Sequence, residues 1–480
     1  MRMILKDTLK ENLDALLKIC ASDADVLNRE FSVGGKKAAI VFLEGASDQE
    51  AQRDLMSAVL SATAEEATAD GLTQKVVPVF GVTPTDNTQG CIEAIFRGDT
   101  VMLLEGETQA LTVATASWEK RAITEPPTST VLQGPREGFT EDLKSNLVQL
   151  RRRLQTPGLV IRHVSVGRIT HTDVAIVYLK KVADVRLARQ IERKIADMDF
   201  DGILDTNYIV ETIEPRRSSL FPQTGSTEKP DVLTAKLLEG RIGVMINGSP
   251  IVMTLPFVLY ENFQQAEDYY TRGKASTFLR VLRVVGTILG LFLPGAYVAV
   301  QIFHYTSIPL SYLYTIMNAV QGLPMMPLME MIFVLLIFEI LHEASFRMPK
   351  YVGMAMSVVG ALVLGDTAVK AGLISSPSIM IVALSTIALY SVPALIDTFK
   401  LLRLTFAFLG GLAGLWGITI AAIAVLLYLS SIDAFGTPYL APFSPRVGND
   451  LQDGIRRGAL AKMTLRPFSI PNKNSVRRGK

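Results

Sequence analysis

The chain has 480 residues, too many for one ordinary domain, and 49% of them are hydrophobic. A net charge of +2 excludes a whole-chain electrostatic binder of nucleic acid. Two cysteines and four histidines exclude a disulfide framework and a Cys/His zinc site.

The mean hydropathy of +0.30 hides two unlike halves. Residues 1–275 carry charges in every stretch. In Met1–Cys20, Lys6, Asp7, Lys10, Glu11, Asp14 and Lys18 interrupt any apolar core, which excludes a secretory signal. Leu17-Lys18-Ile19-Cys20 lacks the small residues and hydrophobic stretch of a lipobox, so Cys20 reads as an ordinary helix residue.

The next segments repeat. Ala39–Leu43 followed by Asp48 resembles Ala175–Leu179 followed by Asp184, at an offset of 136. Phe96–Gly106 resembles Leu238–Gly248, with Gly98 on Gly240 and Gly106 on Gly248. β-branched and aliphatic runs bounded by glycine read as strands, and Glu105-Gly106 and Asn247-Gly248 as hairpin turns. This predicts two similar α/β subdomains, residues 1–120 and 141–275, with hairpins at 96–113 and 238–255. Pro126, Pro127, Gly134, Pro135 and Gly138 mark 121–140 as the linker. Arg151-Arg152-Arg153 reads as a solvated helix face or an ion-pair partner between subunits. His163 and His171 read as strand-surface residues near a hairpin. Leu187, Ile191, Ile195 and Met198 recur at helical spacing and predict an amphipathic helix over 185–198. With no Walker loop, dinucleotide fingerprint or nucleophile motif, the reading is of a non-enzyme without cofactor or metal.

Three runs then contain no Asp, Glu, Lys or Arg: Val284–Met329, Ala371–Ile396 and Leu404–Ile432. Each exceeds the ~20 residues needed to cross a bilayer as a helix. The expected helices are 282–303, 327–345, 351–372, 376–397 and 404–431, in a transmembrane bundle at 276–432. The weakest is 327–345, whose uncharged core runs only from Met331 to Phe338, as in a re-entrant or interfacial segment. Arg272, Lys274, Arg280 and Arg283 flank the first and place the α/β half in the cytoplasm. Residues 433–480 read as a basic cytoplasmic tail, with nine Lys or Arg against two Asp from Arg446 onward. Both termini inside demand an even number of crossings, so four or five spans remain open. Within the bundle Glu330, Glu339 and Glu343 are costly polar groups. Glu339 and Glu343 share a face, either for conduction or to meet Arg347 or Lys350.

A further set of residues resembles the GerA family of spore germination proteins. It comprises Gly134–Glu141 with Asn146 and Arg151–Arg153, Val166–Tyr178, Ser219–Pro222 (with Phe221 and Pro222), Thr227-Glu228-Lys229-Pro230-Asp231, Leu238-Glu239-Gly240-Arg241, Gly248–Pro250 and Glu267–Tyr270. Arg347–Pro349, Gly360–Gly365 and Pro438–Pro442 continue it. The resemblance spans roughly 134–445. It departs from the family pattern at Lys229, at Asp366 and at His342–Ser345, where the family has Arg, Gln and Arg-Glu-Ala-Gly. It implies the A subunit of a nutrient germinant receptor in the spore inner membrane, working with a transporter-like B subunit and a lipoprotein C subunit. It also implies an oligomeric ion channel in contact with membrane lipid. The competing readings are an accessory channel of the same family (spoVA-operon type), a secondary transporter, and a membrane-anchored enzyme or scaffold.

In a homo-oligomer, Val352, Met356, Val359, Val363, Asp366 and Lys370 share one helical face and form the candidate pore lining. Gly353, Ser357 and Gly360 form the adjoining close-packing stripe. The same stripe could instead pack within one chain, with Asp366 and Lys370 pairing with each other.

Overall fold

The computed structural model describes residues 4–20, 25–76, 81–117, 133–349, 352–353 and 365–477. Its N-terminal half is two five-stranded sheets of one design. The first runs in the order β1-β2-β4-β5-β3 and the second β6-β7-β9-β10-β8. The strands are β1 Val26–Val33, β2 Lys36–Leu43, β3 Val82–Thr85, β4 Thr100–Leu104 and β5 Ala110–Val113, then β6 Leu159–Val166, β7 Thr172–Leu179, β8 Gly225–Thr227, β9 Ile242–Ile246 and β10 Val252–Leu255. All pairs are antiparallel.

Both faces of each sheet are covered. In the first, α1 (Leu9–Cys20) and α3 (Thr88–Arg97) bury Leu13, Leu16, Ile92 and Ile95 on one face. On the other, α2 (Gln49–Leu60) buries Leu55 and Val59. In the second, α4 (Leu143–Arg153) and α7 (Pro230–Leu238) bury Leu147, Leu150, Leu233 and Leu237. Opposite them, α5 (Val185–Ala196) and α6 (Thr206–Ile213) bury Ile191, Ile195, Ile209 and Ile213.

The repeat read from the sequence is the repeat of the fold. Asp48 and Asp184 each cap a helix by accepting the N–H two residues on, at 2.9 Å. Gly98 and Gly240 leave their helices at φ 101° and 105°, a left-handed conformation that suits glycine. Both expected hairpins form, as β4–β5 and β9–β10.

One strand end of the second copy comes from elsewhere. In the first copy Ser47 bridges Ala116, just beyond β5. At the equivalent place in the second, Ala183 bridges Asn472, near the C-terminus. The Lys473 N–H donates to Val182 O at 2.7 Å, and Arg466 donates to Leu238 O at 2.6 Å. The C-terminal segment read as a basic tail therefore completes the second subdomain. The two copies meet through Arg151, fully buried and 2.6 Å from Asp25. Arg152 and Arg153 both engage Glu137. The triplet read as a solvated face or intersubunit partner thus forms ion pairs within the chain.

The C-terminal half is helical: α8 Gly273–Phe303, α9 Leu310–Val320, α10 Pro327–Arg347, a short helix Gly365–Lys370, α11 Ser376–Leu389 and α12 Ile396–Ser430. By length and composition, α8 and the Pro393–Ser430 run can cross a membrane. Three details depart from the sequence reading. The first helix begins at Gly273, nine residues before the expected 282, so it is continuous with the joint to the α/β half. α9 was not expected as a helix. The expected 376–397 helix ends at Leu389, and Pro393 opens a separate turn.

The fourth departure is larger. A straight helix of 35 residues spans about 52 Å. Yet both ends of α12 reach one loop of the α/β half. Thr398 donates to Leu220 O near its start. Near its end, Phe221 lies 6.3 Å from the Tyr428 ring and Arg216 donates to Ser431 at 2.9 Å. The reversal is at Gly414, whose φ 64° and ψ −151° are non-helical. The expected single helix at 404–431 is the far part of two antiparallel legs. Gly410 lies against Gly295 O, and Gly414 against the Phe303 ring at the far end of α8. The C-terminus thus returns to the α/β half.

Candidate functional site

Helix α8 opens with a basic cluster, and the α/β half presents acids to it. Asp268 accepts from Arg280 at 2.9 Å and from Arg283 at 2.8 and 3.0 Å. Asp453 of the C-terminal segment takes Arg280 at 2.9 Å and the Tyr269 hydroxyl at 2.6 Å. One buried arginine therefore ties together three parts of the chain. Close by, fully buried Arg241 donates to Glu261 at 2.7 Å and engages Glu239, while Lys236 engages Glu261 from the other side. The Glu239-Gly240-Arg241 motif is thus a structural joint: Gly240 turns the chain and the two charges lock it.

These pairs set an acid sensitivity. Burial pushes the Glu261 carboxyl up, but Arg241 and Lys236 outweigh it and hold it below its ordinary value. Asp268 is likewise held low by Arg283 and Arg280 against the pull of burial. A carboxyl lowered by folding contributes stability above its unfolded value and loses it as pH falls through the folded value. Glu214, raised by burial, acts in the opposite sense. The thermal midpoint of the purified chain is expected to hold near neutral pH and to fall below about pH 4. Asp268→Asn should lower the midpoint at pH 7 and flatten that fall. An Asp268→Asn profile parallel to the wild type would show that the pair does not carry it.

The second contact is the loop after α6. Glu214 accepts the backbone N–H groups of Gln223 and Thr224 at 2.8 and 3.0 Å and the Thr224 hydroxyl at 2.8 Å. This closes the loop and projects Leu220 and Phe221. Phe221 is buried among Tyr428, Tyr439 and Phe399 of the helical half. Pro222 leads the chain back into β8, which Thr227 ends. Glu228 O accepts the Phe139 N–H at 2.7 Å. Buried Lys229 donates to Pro135 O at 2.8 Å, and Pro230 opens α7. Asp231 accepts the Tyr270 hydroxyl at 2.6 Å. The motif residues hold the linker end and the loop on one frame.

The third feature lies inside the bundle. Arg403, on the first leg of α12, is 1% exposed and donates to Glu339 of α10 at 2.6 Å. It also donates to Ser385 at 3.2 Å and Thr386 at 2.9 Å on α11. Lys400 reaches Glu339 at 3.1 Å and the His342 ring at 3.1 Å. Since Ser385 also donates to Gly290 O in α8, four helices meet at this cluster. The sequence pointed to Glu339 but not to Lys400 and Arg403, which stand one turn apart before the charge-free run. Glu343 makes the alternative contact weighed for it, 2.6 Å from Arg347. Glu330 lies at the other end of α10 and is buried.

Of the candidate pore stripe, Val352 is exposed and Gly353 lies against Ser345 O. Met356, Ser357, Val359, Gly360 and Val363 lie outside the described residues. Asp366 and Lys370 pair at 2.6 Å and are exposed. His163 sits 3.1 Å from Asp173 on the strand face, and His171 is exposed in the β6–β7 turn.

Comparison with known proteins adds four findings. The family model described as "Bacillus/Clostridium GerA spore germination protein" matches residues 14–469. Spore germination protein KA of Bacillus subtilis (strain 168) is 31% identical over 486 residues, covering 100% of this chain and 89% of the relative. Spore germination protein GerLA of Bacillus cereus is 30% identical, over 99% of this chain and 97% of its own length. Among solved structures, the N-terminal domain of the A subunit of the Bacillus megaterium spore germinant receptor GerK3 is 27% identical, with a TM-score of 0.44. It covers 54% of this chain and 98% of that one.

Proposed function

This chain belongs to the GerA family of spore germination proteins, and from that premise we propose that it is the A subunit of a nutrient germinant receptor. In this reading it resides in the spore inner membrane with its α/β half in the cytoplasm. It forms a homo-oligomeric, ligand-gated ion channel that works with a transporter-like B subunit and a lipoprotein C subunit. The candidate pore stripe, Val352 to Lys370, belongs to the same proposal.

The observation that carries the reading is the charged cluster within the helical half, joined to the α/β half through α12. Charges such as Arg403, Lys400 and Glu339 are costly in lipid and concentrate where ions or protons move. The clamp of Leu220 and Phe221 on both ends of α12 gives a mechanical route from the α/β half to that cluster. The basic flank of α8 supports the cytoplasmic side.

Spores lacking this gene are expected to lose their response to one nutrient while still germinating with a non-nutrient trigger. An unchanged nutrient response, in a strain without a redundant receptor, would refute the assignment.

A further inference from the structure

Among the described carboxylates of the bundle, Glu343, Asp366, Glu339 and Asp397 each meet a cationic side chain, and Glu330 meets none. It lies in the first turn of α10 and is 1% exposed. One oxygen, Oε1, accepts both the Ser375 N–H at 2.7 Å and the Ser375 hydroxyl at 2.6 Å. Ser375 caps α11, and its hydroxyl lies 2.9 Å from the Ser378 hydroxyl. Oε1 thus meets two donors at the N-terminus of a 14-residue helix, the end that attracts anions.

The second oxygen, Oε2, is buried and has no hydrogen-bond partner. A buried carboxyl oxygen left without a donor is a costly exception that calls for an account. Glu339 is met by Arg403 and Lys400. Glu330 instead meets one backbone N–H and one hydroxyl, both of Ser375, and the buried Tyr297 hydroxyl of α8 lies within electrostatic reach of the same carboxyl. One turn further along α8, Gln301 Oε1 is also buried and has no hydrogen-bond partner.

From this geometry we propose that Glu330 is the anionic ligand of a monovalent alkali cation held between α8, α10 and α11. Glu330 Oε2 supplies the charge, and the hydroxyl oxygens of Tyr297 and Ser378 complete the nest. An all-oxygen donor set selects a hard cation, and a single carboxylate balances one positive charge rather than two. The site joins three helices of one chain, so its occupancy stabilises their packing. This goes beyond the receptor assignment and does not depend on it.

The test uses the full chain in lipid nanodiscs, with thermal unfolding followed by intrinsic fluorescence. NaCl, KCl and choline chloride are compared at equal ionic strength. A cation that binds only the folded state should raise the midpoint saturably, by about 3 °C or more over choline. Glu330→Gln should abolish that difference, and Asp201→Asn, at an exposed ion pair of the α/β half, should leave it intact. Tyr297→Phe keeps the ring and removes one oxygen, so it should raise the half-saturating salt concentration several-fold. That variant decides the matter should Glu330→Gln fail to fold. Equal wild-type midpoints in the three salts, or an undiminished response in Glu330→Gln or Tyr297→Phe, would overturn the site.

Discussion

Glu339→Leu is expected to remove most of the protein from the membrane, and Glu339→Leu with Arg403→Leu to restore it. Arg403 is 1% exposed, and Glu339 is its only ion-pair partner among the described residues. Removing one member of a buried pair strands the other charge and costs about 3–5 kcal/mol. That is a large share of the total stability of a folded domain. Replacing both members by leucine removes the stranded charge along with the bond, which is often neutral. Lys400 does not block the rescue, because Asp397 lies 3.8 Å away at the exposed edge. Abundance in membranes and the thermal midpoint of the two variants form the measurement. Wild-type abundance of Glu339→Leu alone would show that the pair is not holding the bundle. The double variant also separates stability from function: if the cluster serves conduction, restored abundance should come without restored nutrient response.

The sequence exposed the repeated half because strands and turns write locally. Aliphatic runs, helix-capping aspartates and glycines at positive φ recur at fixed offsets, so Gly98 maps to Gly240 and Asp48 to Asp184. It could not show that Asn472 completes the second copy. That contact joins residues nearly 300 apart, and a single bridge leaves no periodic trace. In the bundle the sequence located the apolar runs but not their directions. Gly410, Gly411, Gly414 and Gly417 stand alike in one apolar run, and three of them are helical. Only Gly414 adopts the backbone that reverses the chain. Arg403 was missed for a related reason. It stands just outside a charge-free run, where a positive residue reads as a membrane-edge flank. Only the packing of α10 against α12 carries it inside.

Gly414→Ala is expected to prevent α12 from folding back. At φ 64° and ψ −151° the backbone is in a region open essentially to glycine alone, and a side chain there costs about 1–3 kcal/mol. An added Cβ would also lie 3.2 Å from three atoms of Phe303, tighter than ordinary contact. Alanine is a strong helix former, so its relief is to continue the helix. A continued α12 would carry Ser431 and everything after it away from the α/β half. Arg280 would then lose Asp453, and the second subdomain would lose Asn472. Sidedness gives the readout. Cys20 and Cys91 are both buried, so a single introduced cysteine can be labelled by an impermeant maleimide with little background. In sealed vesicles, exposed Arg186→Cys on the α/β half and exposed Asn474→Cys at the C-terminus should label from the same side. Adding Gly414→Ala should move the Asn474→Cys label to the opposite side or deplete the protein. Labelling of those two cysteines from opposite sides without the glycine change would refute the hairpin. Unchanged same-side labelling and abundance in Gly414→Ala would show that the reversal does not need glycine.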